Sequence, residues 1–239
     1  MSEQETNGEA AVTEEKPARA VLFELENVAL AGRRIAYEIL DKLFEDKGAK
    51  LTPALFSRFC LDTAPAQFIP KLLEVLDKSK SSPEKLLASF TEQRWKVLGS
   101  TKAQASPVLR DLLKSLADRG ALLGALTEIT DGDPAKRLGK MGLSAPALTV
   151  LPVPTDEKTV PTADAWLKLA KTLSASSSAC IAIVTSAASA KAAISAGMRC
   201  VVVTDEFTAF QDFGGADYVA ETLDADTVTG ILELLDSTV

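Results

Sequence analysis

The feature that most constrains the fold is the run Cys180-Ile181-Ala182-Ile183-Val184, apolar at every position. A strand with one solvated face alternates apolar and polar residues, so an uninterrupted apolar run is buried on both faces. Ala20 to Leu25, Ala121 to Thr127, Ala147 to Val153 and Cys200 to Thr204 read the same way, and Asp217 to Ala220 is a short last strand. Amphipathic helices separate them. Ser106 and Pro107 cap and open one, Leu109, Leu112, Leu113 and Leu116 form its stripe, and Gly120 closes it. Trp166, Leu169, Ala170 and Leu173 mark another, Ala187 to Ala196 a third, and Val228, Ile231, Leu232 and Leu235 the last. This alternation predicts an α/β fold, a Rossmann-like parallel sheet flanked by helices. In such sheets the functional crevice lies at the carboxyl ends of the strands.

One stretch breaks the alternation. From Arg33 to Ala103 the chain reads as helices alone: Ile35, Ile39 and Leu43 give one stripe, Thr52-Pro53 opens a second helix, and Pro70 to Leu76 and Ser82-Pro83 to Leu98 follow. The expected organisation is a polar, disordered tail over residues 1–19, an α/β core over 20–32 and 104–239, and a helical insert over 33–103.

Charge and residue usage exclude several functions. The 239-residue chain carries a net charge of −7, which argues against nucleic acid or an anionic membrane as the main partner. No apolar run reaches a membrane span, and the acidic start is neither a secretory signal nor a transit peptide, so a cytoplasmic location is expected. The absence of histidine removes Ser-His-Asp and Cys-His catalysis and every His-ligated metal site. Cys60, Cys180 and Cys200 have no C-x-x-C pairing and read as buried thiols. The segment Gly132 to Lys140 is a near miss for a phosphate-binding loop, with the wrong glycine spacing and no Ser or Thr after Lys140.

The first strand ends in two carboxylates, Glu24 and Glu26, at the crevice end of the sheet. Ala20 to Leu30 resembles the Asp-x-Asp-Gly nucleophile strand of the haloacid dehalogenase-like (HAD) phosphohydrolases. Pro107 to Thr130, Pro161 to Met198 and Gly215 to Val219 resemble that family's later motifs in the right order, and the insert its helical cap of the phosphoglycolate phosphatase and β-phosphoglucomutase type. The resemblance implies a nucleophile at Glu24, a general acid/base at Glu26 and a phosphate-binding hydroxyl at Thr127, with Glu128, Thr185 and Ser186 as further ligand-binding positions. It also shows substitutions. The expected lysine falls on Val160, with Lys158 two residues earlier as a candidate replacement. The magnesium-binding acids fall on Thr185 and Ser189, with Asp156 or Asp205 as alternative ligands.

These substitutions lead to the expectation of a catalytically degenerate HAD-like protein, a pseudoenzyme leaning away from activity. It would serve as an interaction or small-ligand-binding module with no metal and no cofactor. Its partners would be a protein, a small polar ligand or a second copy of the chain as a homodimer. The alternative is a divergent phosphatase or phosphomutase with Glu24 as nucleophile and Mg2+ as cofactor. A purely structural homo-oligomer is the third reading.

Overall fold

The computed structural model describes residues 18–100, 103–129, 133–143, 148–153 and 161–238. The apolar runs become strands β1 (Ala20–Glu24), β2 (Leu122–Thr127), β3 (Leu148–Pro152), β4 (Cys180–Val184), β5 (Arg199–Val203) and β6 (Tyr218–Ala220). All pair in parallel, in the order β3-β2-β1-β4-β5-β6, so β1 lies inside the sheet between β2 and β4. The predicted α/β sheet is therefore the observed one.

Alternate residues of each strand serve opposite faces. Val21, Phe23, Leu123, Ala125, Ile181, Ile183 and Val201 build one core layer. It is covered by α1 (Leu25–Leu30), α6 (Pro107–Asp118), α7 (Pro134–Lys140) and α10 (Ala225–Asp236). Ala20, Leu22, Leu126, Cys180, Ala182, Val184, Cys200 and Val202 build the other against α8 (Ala163–Thr172) and α9 (Ala187–Ser195). The three thiols are buried and unpaired, and burial pushes Cys180 up to about 11 and Cys200 to about 12.

Helices α2 (Gly32–Glu45), α3 (Pro53–Phe59), α4 (Pro65–Val75) and α5 (Pro83–Leu98) carry their own core of Leu40, Phe44, Phe56, Phe68, Leu72 and Phe90. Phe207, from the loop after β5, joins that core, with its ring centroid 4.7 Å from that of Phe56 and 5.4 Å from that of Tyr37. Two local readings change. Residues 65–75 form one helix with Pro70 inside it, where the sequence suggested a start at Pro70. Pro70 is exposed while Phe68, Ile69, Leu72 and Leu73 are buried around it. Packing of those four outweighs the backbone bond that proline deletes. Leu25, read as the end of the first strand, instead opens helix α1 over residues 25–30, because Leu25, Ala29 and Leu30 bury against the sheet.

Ala31, at φ 52°, turns the chain from α1 into α2, and Gly32 makes the turn tight. A Cβ on Gly32 would lie 2.9 Å from Asn27 Oδ1 and 3.0 Å from the Glu26 carbonyl oxygen. Gly32→Ala is expected to cost about 1–3 kcal/mol through this overpacking. Urea unfolding against wild type checks it, with the midpoint falling and the slope unchanged.

Candidate active site

The register of the sheet gathers the polar groups. Glu24 pairs with Leu126 of β2, and Phe23 with Ile183 of β4. Thr127 and Thr185 therefore lie just past Glu24 along the carboxyl edge on either side, and Asp205 follows β5 beyond them. Glu24 is buried at the end of β1. Its Oε2 accepts from the Thr185 hydroxyl at 2.5 Å and, at 3.5 Å, from the Asn27 amide. Its Oε1 is buried with no hydrogen-bond partner among the described protein atoms, and the same holds for Ser189 Oγ. Burial raises the Glu24 carboxyl above the usual carboxylate range. The Arg33 charge opposes this most strongly, followed by the Ser189 hydroxyl, which lies near the carboxyl but outside hydrogen-bond geometry, and by the hydrogen-bonded Thr185 hydroxyl.

Glu26 sits in the first turn of α1, also buried. The Thr127 hydroxyl donates to its Oε1 at 2.5 Å and the Glu128 backbone N–H to its Oε2 at 3.1 Å. Thr127 in turn accepts from the Ile129 N–H at 3.1 Å. Burial, reinforced by the Glu128 charge, raises Glu26 to about 7. A carboxyl of that kind can both give and take a proton at neutral pH. Glu24, Glu26, Asn27, Thr127 and Glu128 share one crevice with Val153 and Pro161.

Two arginines from the helical insert reach this edge. Arg33, on α2, is 8% exposed, and its Nη1 donates to Thr185 Oγ1 at 2.7 Å and to Asp205 Oδ2 at 3.0 Å. Arg94, on α5, pairs with Glu128 at 2.7 Å, with both side chains nearly buried. Asp62 follows α3 at φ 56°, and its charge acts on Arg33. Arg33, Asp62, Thr63, Arg94 and Glu128 line a cavity of about 50 Å³ between insert and sheet, walled by Phe56, Phe68 and Phe90.

Solved structures share this architecture across nearly the whole chain. A HAD family hydrolase from Deinococcus radiodurans R1 with bound phosphate and sodium superposes at a TM-score of 0.71, with 18% identity over 92% of this chain and 97% of that one. β-Phosphoglucomutase from Clostridium difficile superposes at 0.69, with 16% identity and the same two coverages. The chain has the HAD-like fold with a helical cap. In sequence, the Bacillus subtilis (strain 168) protein named "Putative phosphatase YhcW" is 26% identical over 220 residues, 92% of this chain and 98% of that protein. No protein-family model matches.

These findings correct the expectation of a degenerate interaction module. The relatives that match the chain from end to end are phosphatases and phosphomutases by name, which backs the divergent-enzyme alternative. The physical reason is that positive charge at this edge does not depend on the family's lysine position. A buried guanidinium on α2, bound to Thr185, acts on the Glu24 carboxyl through its charge.

The remaining site expectations divide. Glu24, Glu26, Thr127, Glu128 and Thr185 converge at the carboxyl edge. Ser186 is buried and caps α9, accepting from the Ser189 N–H at 3.3 Å. The hydroxyls of Thr127 and Thr185, expected on a ligand, hold the two glutamates. Asp156, Lys158 and Val160 lie outside the described residues. The magnesium of the HAD-like fold is a poor match to these donors. Among the described residues no three carboxylate, thiol or imidazole groups converge on one point. Asp205 is already committed, accepting from the Phe207 N–H at 2.9 Å and the Thr208 hydroxyl at 3.1 Å besides Arg33. Arg33, Asp62 and Arg94 join the site without a sequence signal, since an arginine on an insert helix carries no mark of the sheet edge it reaches.

The Glu26 shift has a consequence for stability with a definite sign. Below pH 4.5 the carboxyl is neutral in both folded and unfolded chains; between 4.5 and about 7 only the unfolded chain ionises, so stability falls as pH rises and levels off above that window. The whole shift corresponds to about 3 kcal/mol. Glu26→Gln keeps a carbonyl for the Glu128 N–H and an amide for Thr127 Oγ. Urea melts from pH 4 to 8 are expected to show the variant losing about 3 kcal/mol less than wild type over this range.

Proposed function

We propose that this chain cleaves or transfers phosphoric esters, with Glu24 as nucleophile and Glu26 as general acid and base. The observation that carries the reading is the asymmetry of the Glu24 carboxyl: Oε2 is held by Thr185 and Asn27, while Oε1 is buried and unpartnered among the described residues. A nucleophile needs one oxygen fixed and the other uncommitted to any hydrogen bond. The names of the full-length relatives support the reaction class.

In the first step Glu24 Oε1 attacks phosphorus and the bond from phosphorus to the ester oxygen breaks. Glu26, its carboxyl raised toward neutral pH by burial, gives its proton to the departing alkoxide. The product is a glutamyl phosphate and a free alcohol. In the second step Glu26 takes a proton from water as its oxygen attacks phosphorus, and Glu24 leaves as carboxylate with release of phosphate. In a mutase a second hydroxyl of the same substrate replaces water. Thr127 and the Glu128 amide aim Glu26 throughout. Lys158, outside the described residues, is proposed as a further cation for the phosphoryl group. Substrate carbon would lie on the side of the cavity walled by Phe56, Phe68 and Phe90.

The test is hydrolysis of p-nitrophenyl phosphate and of a panel of sugar phosphates by the full chain. Glu24→Gln is expected to lower kcat at least ~100-fold, because no acyl phosphate forms. Glu26→Gln should remove a limb of the pH profile centred near 7. Turnover that survives Glu24→Gln, or a wild type no faster than buffer, would overturn the reading.

A further inference from the structure

Glu24, Asp62 and Asp205 come from three different parts of the chain: the end of β1, the turn after α3 and the loop after β5. Their charges all act on one group, Arg33. That guanidinium is 8% exposed. It donates to Thr185 Oγ1 at 2.7 Å, and Thr185 passes its own hydrogen to Glu24 Oε2 at 2.5 Å. Thr185 is the residue standing where the sequence resemblance places a metal-binding acid. A carboxylate there would turn toward a cation, and so does the threonine, through its lone pair.

We propose that Arg33 is the resident cation of this cleft, standing in the place and role of a divalent metal, so that phosphate binds here without one. The inference rests on the reading of the cleft as a phosphoric-ester site and names the group that steadies anionic charge within it. Three features of the molecule support it. A guanidinium anchored by a hydroxyl and a carboxylate keeps further N–H donors for phosphate oxygens, the pairing for which its planar fork is suited. A fixed positive charge among the would-be ligands repels Mg2+ from the space between them. The ligands themselves are spoken for: Asp205 accepts from two further donors and Glu24 Oε2 from Thr185. Arg33 and Arg94 both line the cavity between insert and sheet, so two cations border the same small volume.

The experiment measures two probes on the full chain. Inorganic phosphate binding is followed by calorimetry in excess chelator and again with Mg2+. Mn2+ binding is followed by loss of the free-ion EPR signal. Wild type is expected to bind phosphate equally with and without metal and to leave Mn2+ free. Arg33→Met, which keeps bulk and removes charge, is expected to weaken phosphate binding at least ~10-fold, the scale of a lost charge-assisted hydrogen bond. Mn2+ binding should also rise above that of wild type, because the repelling guanidinium is gone from between Glu24 and Asp205; a merely structural role for Arg33 would not produce that rise. Should Arg33→Met fail to fold by circular dichroism, Thr185→Asp in the otherwise native chain decides. That variant still refuses Mn2+ if the guanidinium holds the place, and binds it if the place is open. Phosphate binding that requires Mg2+ or Mn2+, or no phosphate binding under either condition, would overturn the inference. Metal-free phosphate binding without turnover would leave the Arg33 assignment standing and remove only the phosphoryl-transfer reading.

Discussion

Burial of the Glu24 carboxyl at the end of the central strand is the constraint around which the rest of the site is arranged. A carboxylate in that position is costly unless opposite charge and hydrogen bonds reach it. The sheet brings Thr185 to one of its oxygens through β4, and the insert brings Arg33 to Thr185 through α2. The same logic repeats one strand away. Glu26 is buried, Thr127 and the Glu128 amide satisfy its oxygens, and Arg94 of α5 balances Glu128. Glu24 and Glu26 thus each have a hydroxyl from the sheet and the charge of an insert arginine nearby.

This arrangement couples the two halves of the molecule. The buried positive charge at the sheet edge is carried by Arg33 and Arg94, whereas the hydroxyls and backbone donors belong to the strands and their loops. Removing one partner of a buried pair leaves the other charge uncompensated, at a cost of several kcal/mol. Separation of α5 from the sheet would break the Arg94–Glu128 pair and would change the field at Glu26, whose carboxyl feels both charges. Phe207 ties the loop after β5 into the insert core, which keeps Asp205 beside Arg33. Geometry of the insert and protonation at the first strand are therefore linked through the same few contacts.

Substitution at a familiar motif position is weak evidence for lost chemistry when charge can arrive from another element. Val160, Thr185 and Ser189 each lack the group the resemblance calls for. Taken one position at a time, those losses point to a degenerate module. Electrostatics adds over space, and Arg33 acts on Glu24 from a different helix. The end-to-end relatives, phosphatases and phosphomutases by name, agree with that correction.

Much of the molecule is legible in the amino-acid sequence. Apolar runs such as Cys180 to Val184 admit only strands buried on both faces, and the helices between them have to cover the sheet, since period and burial are local properties of the chain. The carboxylates Glu24 and Glu26 and the hydroxyls of Thr127 and Thr185 are likewise visible, because strand ends in such a sheet face the crevice. Pro70 and Leu25 depart from their local signals, because packing of neighbouring apolar side chains overrides them. Tertiary structure alone decided the strand order, the commitment of both threonines to the glutamates, and the convergence of Arg33, Asp62, Asp205 and Arg94. Those residues are separated in the chain by up to 172 positions and meet only when the insert closes over the sheet. No periodicity or spacing records a contact of that range; it is set by how two independently packed cores dock.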